Sequence, residues 1–152
     1  MPLTSSQTRL IETWRLGFLA AVGPDGTPNL SPKGTFVVLD DRTIAFAEMR
    51  SPGTMAAIAA HPVVEANFVD ILSRRGLRLK GAATVHDKGT DGYQQHLPAF
   101  TPHWPELEAA FNAIVTISAD TIRPLASPIY EFGGSETDLR ATWAAKIAEM
   151  SQ

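Results

Sequence analysis

The sequence predicts a mainly β protein, a small closed or partly closed barrel with peripheral helices. Three observations lead there. Six or seven apolar or β-branched runs are separated by turn residues. The helical stretches between them are short, and no G-x-G-x-x-G follows the first strand, which argues against a doubly wound nucleotide fold. Residues 16–48, LGFLAAVGPDGTPNLSPKGTFVVLDDRTIAFAE, read as one meander that the rest of the chain closes, braces or extends.

Residues 4–12 read as a short helix capped by Ser5 or Ser6, with Leu10, Ile11 and Trp14 on its apolar side. Strand one spans Gly17–Val22 and enters a turn at Gly23-Pro24-Asp25-Gly26. Strand two begins near Pro28 and is irregular to Thr35. Pro28 and Pro32 have no N–H to donate, so this piece is an edge, a bulge or a bend. Its polar kink, Asn29-Leu30-Ser31-Pro32-Lys33-Gly34, is the first candidate for a ligand; a plain surface turn is the competing reading. Residues 36–39 are aromatic and β-branched, Asp40-Asp41 turns, and residues 42–48 return with Thr43, Ala45 and Ala47 alternating against Ile44, Phe46 and Glu48.

A helix follows, with Ser51 at the cap position and Pro52 at its first turn, ended by His61-Pro62. Its first N–H groups, beside Arg50, read either as an anion site for a phosphate or as ordinary capping. Strands are predicted over 63–70 and 77–85. On the second, Leu77 and Leu79 share one face while Arg78 and Lys80 share the other, as a wet face or as a lining for an anion. Residues 87–95 begin a helix with Tyr93 inward. Residues 105–112 read as a short helix, 113–122 as a strand and 123–128 as a loop. Residues 129–132 finish the sheet or cross its rim. The last helix, 135–150, carries Leu139, Trp143, Ile147 and Met150 as a stripe that needs a cover.

The 152 residues suit a single domain over 1–152. A formal net charge of -3 disfavours a nucleic-acid backbone as partner. The lack of cysteine excludes disulfides and thiolate chemistry. Charged residues are sparse at 19%, which is compatible with a self-association surface. No apolar run approaches the ~20 residues of a membrane span, and no signal-peptide pattern opens the chain, so a cytoplasmic protein without a membrane partner is expected. His61, His86, His96 and His103 have no metal-ligand spacing, and no metal is expected. Hydrolase and phosphoryl-transfer motifs are missing. Dispersed cations, short hydroxyls and glycines suit a cofactor that brings its own chemistry.

The segments GFLAAVGPDGTPNLSPKG, TIAFAEMRSPGT, the helix ending in His61-Pro62-Val63, FVD and LRLKGAATV, in this order, resemble the flavin-binding split-barrel family typified by pyridoxamine 5'-phosphate oxidase. The resemblance implies a six-stranded Greek-key split barrel that forms a homodimer, with FMN held between the subunits. It places Asn29, Ser31, Pro32, Lys33 and Gly34 beside the flavin ring, with Lys33 as the catalytic candidate. Glu48, Met49, Arg50, Ser51 and Thr54 would lie near the ribityl phosphate, and Arg78 and Lys80 would approach the cofactor. The implied activity is FMN-dependent oxidation of a small organic or nicotinamide electron donor. A non-catalytic flavin-storage protein, a cofactor-free barrel, and a deazaflavin or haem ligand are the other readings. The chain departs from many small relatives at Thr54, where they carry a base, and at Ala57, where they carry Asn. The full substrate signature of the vitamin-oxidising enzyme is missing, so pyridoxamine phosphate is not the expected substrate.

Overall fold

The computed structural model describes residues 2–151. Helix α1 (Ser5–Trp14) is capped by Thr4, not by Ser5 or Ser6. The Thr4 hydroxyl accepts from Gln7 N–H, and the Gln7 side chain reaches back to Thr4 N–H, a reciprocal capping box. Strands β1 (Gly17–Val22), β2 (Pro28–Lys33), β3 (Val37–Val38) and β4 (Thr43–Glu48) follow. Then come α2 (Pro52–Ala60), β5 (Val63–Asp70), β6 (Arg75–Asp87), α3 (Asp91–His96), β7 (Ala113–Ala126) and α4 (Glu136–Met150).

The seven strands form one antiparallel sheet in the order β2-β1-β5-β6-β7-β4-β3. This corrects the barrel expectation. The sheet is open, with β2 and β3 as its two edges, and among the described residues no ladder joins them. The physical reason is local. β2 carries two prolines, and β3 is only two residues long, so neither edge offers a run of N–H groups to close on. The sheet is nevertheless strongly curled. Lys33 ends one edge and Val37 begins the other, and four residues reach about 14 Å at most.

The curl wraps the main core, which includes Leu19, Phe36, Phe46, Phe68, Leu79 and Ile117. A second core lies on the other side of β4 and β7, where Tyr93, Phe100 and Phe111 pack on Val37, Ala45 and Ile114. Five of the six β4 residues are therefore buried, and its alternation separates two cores, not core from solvent. β6 and β7 are longer than the sequence suggested, because β7 continues through residues expected to form a loop. A bulge between Lys80 and Gly81 bends this ladder. A Cβ on Gly81 would sit 1.9 Å from the Ser118 carbonyl oxygen, so only glycine fits.

The helix expected over 105–112 is instead a set of turns with a 3-10 segment at Glu108–Ala110. Another 3-10 segment, Pro128–Phe132, takes the place of a final strand. No helix among the described residues is long and apolar enough to cross a membrane.

Phe36 is wholly buried at the crossing between the two sheet edges, edge-on to Phe46 at 5.6 Å and to Phe68 at 4.8 Å. Phe36→Ala should lower the unfolding free energy by about 3–5 kcal/mol, read by urea titration. A loss below about 1 kcal/mol would show that the curl does not depend on this ring.

Candidate functional site

β2 alternates. Asn29, Ser31 and Lys33 point to the concave side, and Pro28, Leu30 and Pro32 point outward. The concave side chains meet the first turn of α2 at one atom. Thr54 Oγ1 lies 2.9 Å from Ser31 Oγ, accepts from Lys33 Nζ at 3.2 Å and donates to Asn29 Oδ1 at 3.3 Å. One hydroxyl has one proton and two lone pairs, so these three partners use its full capacity.

Lys33 is buried, with its ammonium 5.5 Å from the Phe46 ring centroid. Burial pushes its pKa below the ordinary lysine range, and the nearby Glu48 carboxylate opposes that shift. Glu48 is also buried. Its Oε1 accepts from Ser51 N–H at 2.6 Å and from Ser51 Oγ at 3.2 Å. The Ser51 hydroxyl is thereby turned away from α2, which has no side-chain cap. Pro52 has no N–H, and the Gly53 and Thr54 N–H groups find no acceptor among the described residues. A Cβ on Gly53 would lie 3.0 Å from Asn29 Nδ2, so the backbone here is closely approached. Arg50 stands exposed beside this turn, and Met49 is half-buried.

Asn112 was not singled out in the sequence, yet it braces this corner. Its N–H donates to the Glu48 carbonyl at 2.8 Å and its side-chain amide to the Met49 carbonyl at 2.6 Å. A lone Asn before a strand carries no sequence signal of that role. Phe46 was expected only as an alternating strand residue.

The structure thus brings together Asn29, Ser31, Lys33, Glu48, Ser51 and Thr54. It does not bring Arg78 and Lys80 to them within one chain. Both stand on the convex face of β6, where Arg78 Nε lies 3.5 Å from Glu65 Oε1 and pairs in register with Arg123. The same face continues across β5, β1 and β2 as an exposed apolar surface that includes Phe18, Val22, Leu30 and Val63. Pro32 and Gly34 are exposed as well. A cavity of about 1230 Å³ lies elsewhere, between α1 and the β5–β6 turn.

Residues 3–113 match the family model described as pyridoxamine 5'-phosphate oxidase. The crystal structure of HupZ from Group A Streptococcus is similar, at 26% identity and a TM-score of 0.71, over 82% of this chain and 95% of that one. A Lactobacillus delbrueckii protein provisionally assigned as a pyridoxamine 5'-phosphate oxidase matches at 24% identity and a TM-score of 0.66, over 80% of this chain and 93% of that one. General Stress Protein 26 from Bacillus anthracis matches at 18% identity and a TM-score of 0.62, over 78% and 90%. The last two likenesses show a shared fold. No curated protein matches this chain.

A lysine depressed in the folded state opposes folding while it is charged. Stability should therefore rise as pH climbs from the folded pKa toward the ordinary value of 10.5. Lys33→Met should flatten that rise, measured by urea unfolding between about pH 8 and 10. Equal slopes in the two proteins would show that Lys33 titrates as an exposed lysine.

Proposed function

This chain belongs to the pyridoxamine 5'-phosphate oxidase family, and on that premise we propose that it is an FMN-binding flavoprotein that oxidises a small organic or nicotinamide electron donor. The observation that carries the proposal is the corner at Thr54, where β2 presents Asn29, Ser31 and Lys33 to the first turn of α2.

The donor set of this corner fits a flavin nucleotide. The free Gly53 and Thr54 N–H groups and the exposed Arg50 are donors suited to a phosphate. Helix α2 adds the positive end of its dipole. Asn29 and Ser31 offer hydrogen bonds to the polar edge of a ring. Pro32, Gly34 and Met49 border the same segments. Lys33 holds a desolvated cation in the field of the Glu48 carboxylate. Such a charge favours a ligand that gains electron density more than it would in water. When bound, FMN supplies the hydride-accepting chemistry. Glu48 holds the Ser51 turn in place and keeps Lys33 closer to its charged form.

Arg78 and Lys80 serve this site only if a second copy supplies them. The exposed apolar face beside them, with Phe18 47% and Leu30 66% exposed, supports a homodimer that covers it.

Two measurements test the reading. The purified protein, incubated with FMN and passed through gel filtration, should keep a yellow chromophore that denaturation releases as FMN, and should elute as a dimer. A colourless protein overturns the flavin reading. A retained flavin that no donor bleaches leaves a flavin-storage protein. Lys33→Met should fold and yet lose about tenfold or more in FMN affinity or in the rate of reduction, as expected for loss of one charged hydrogen-bonding partner. Unchanged binding and reduction would remove Lys33 from the mechanism.

A further inference from the structure

Helix α4 is attached in a different way from every other helix that carries weight in the fold. None of its residues is buried. Its contacts converge on the turn between β5 and β6. Arg140 lies 2.6 Å from Asp70 Oδ2, and Glu136 lies 3.0 Å from Arg140 and 3.2 Å from Arg75. The Arg74 guanidinium stacks 3.6 Å from the Trp143 ring centroid, and Arg75 lies 3.9 Å from that of Tyr130.

The anchor on the sheet side is rigid. Asp70 is buried and accepts from Ser73 Oγ at 2.8 Å and from Leu72 N–H at 3.0 Å. Arg74 is a non-glycine residue at a left-handed φ of 58°, and its Nε is buried without a partner. That backbone turn, uncommon for a residue other than glycine, sets the guanidinium against Trp143 of α4. The chain enters α4 through Gly133, at φ 84°, and Gly134.

Glu136 and Arg140 form one wall of the cavity of about 1230 Å³. Leu10 and Trp14 of α1 and Ile122 and Leu125 of β7 form others, so the interior is mostly apolar. A helix with a buried stripe would be held by the hydrophobic effect, which salt does not weaken. The two Glu136 pairs are half-exposed on both sides and are screened by salt, while Asp70–Arg140, with its carboxylate buried and its guanidinium exposed, is screened less.

We propose that α4 is an electrostatically latched lid on this cavity, pivoting at Gly133–Gly134 and released when the Asp70–Arg140 pair is broken. The lid stands apart from the flavin reading, since it shares no residue with the Thr54 corner.

The test is hydrogen exchange by mass spectrometry on the full chain, in wild type and Arg140→Gln, at about 20 mM and about 1 M sodium chloride. Arg140 is exposed, so its replacement leaves both cores intact. At low salt the variant should exchange residues 136–150 about fivefold faster, with β5, β6 and β7 unchanged. High salt should produce a smaller acceleration in wild type and add little in the variant. At low salt, 8-anilinonaphthalene-1-sulfonate should bind the variant with brighter emission, because its apolar rings enter the uncovered cavity. The lid is overturned if α4 exchange ignores both salt and the substitution. It is overturned equally if the sheet exchanges in step with α4, or if α4 loosens without a gain in dye emission.

Discussion

Three residues, Gly34, Thr35 and Phe36, tie the two edges of the sheet together, and most of the molecule follows from that short tie. Strands adjacent in sequence usually pair; β2 and β3 are instead the outermost strands on opposite sides. Only a strongly curled sheet lets so short a link span them. The link is then used fully. Phe36 fills the inside of the curl between Phe46 and Phe68. The Thr35 hydroxyl accepts from Ala47 N–H and donates to the Ala47 carbonyl, both at 3.0 Å, doing for β4 what a longer β3 would have done. Ala47 thus keeps a partner for both of its backbone groups, although the sheet never closes.

The same tie creates the polar corner. Lys33 is the last residue before the link, and the curl carries it against Phe46 and the first turn of α2. A lysine there is expensive, because its charge leaves water. It is tolerated through Thr54 and the field of Glu48. Asn112 fixes the other side of the corner by holding the Glu48 and Met49 carbonyls. Polar groups gathered at such a cost, beside a helix start left without a side-chain cap, suit recognition better than stability. The family match over residues 3–113 covers this whole corner.

The two ends of the chain are fastened by different forces. Helix α1 is capped reciprocally and buries Ile11 in the main core. Helix α4 has no fully buried residue and is held by charge and stacking beside the half-buried Leu139, Trp143 and Ile147. Burial makes the first attachment nearly indifferent to salt, and exposure makes the second sensitive to it.

Local sequence was enough for much of the secondary structure. Gly17–Val22 and Val63–Asp70 form strands with the expected bounds, because apolar, β-branched runs end at clear turn signals. Pro28 and Pro32 marked an edge, since a missing N–H is a property of the residue itself. Tyr93 turned inward as expected. The α1 cap was misplaced by one or two residues, because serines and threonines in a row compete for the same role. The segment 105–112 has helical composition but lies over the second core, where Phe111 and Leu107 pack better in turns.

The sequence by itself determined where most strands run and which residues of a regular strand share a face, and it singled out the segment from Asn29 to Gly34. Those are matters of period and backbone chemistry, which neighbours in the chain decide. Only the tertiary structure decided that the sheet stays open, that both faces of β4 are buried, and that Thr54 rather than solvent receives Lys33. It also decided that Arg78 and Lys80 stand on the far face of the sheet. Each of these depends on pairings between residues far apart in sequence, and the direction and extent of a sheet's curl is written in no single strand.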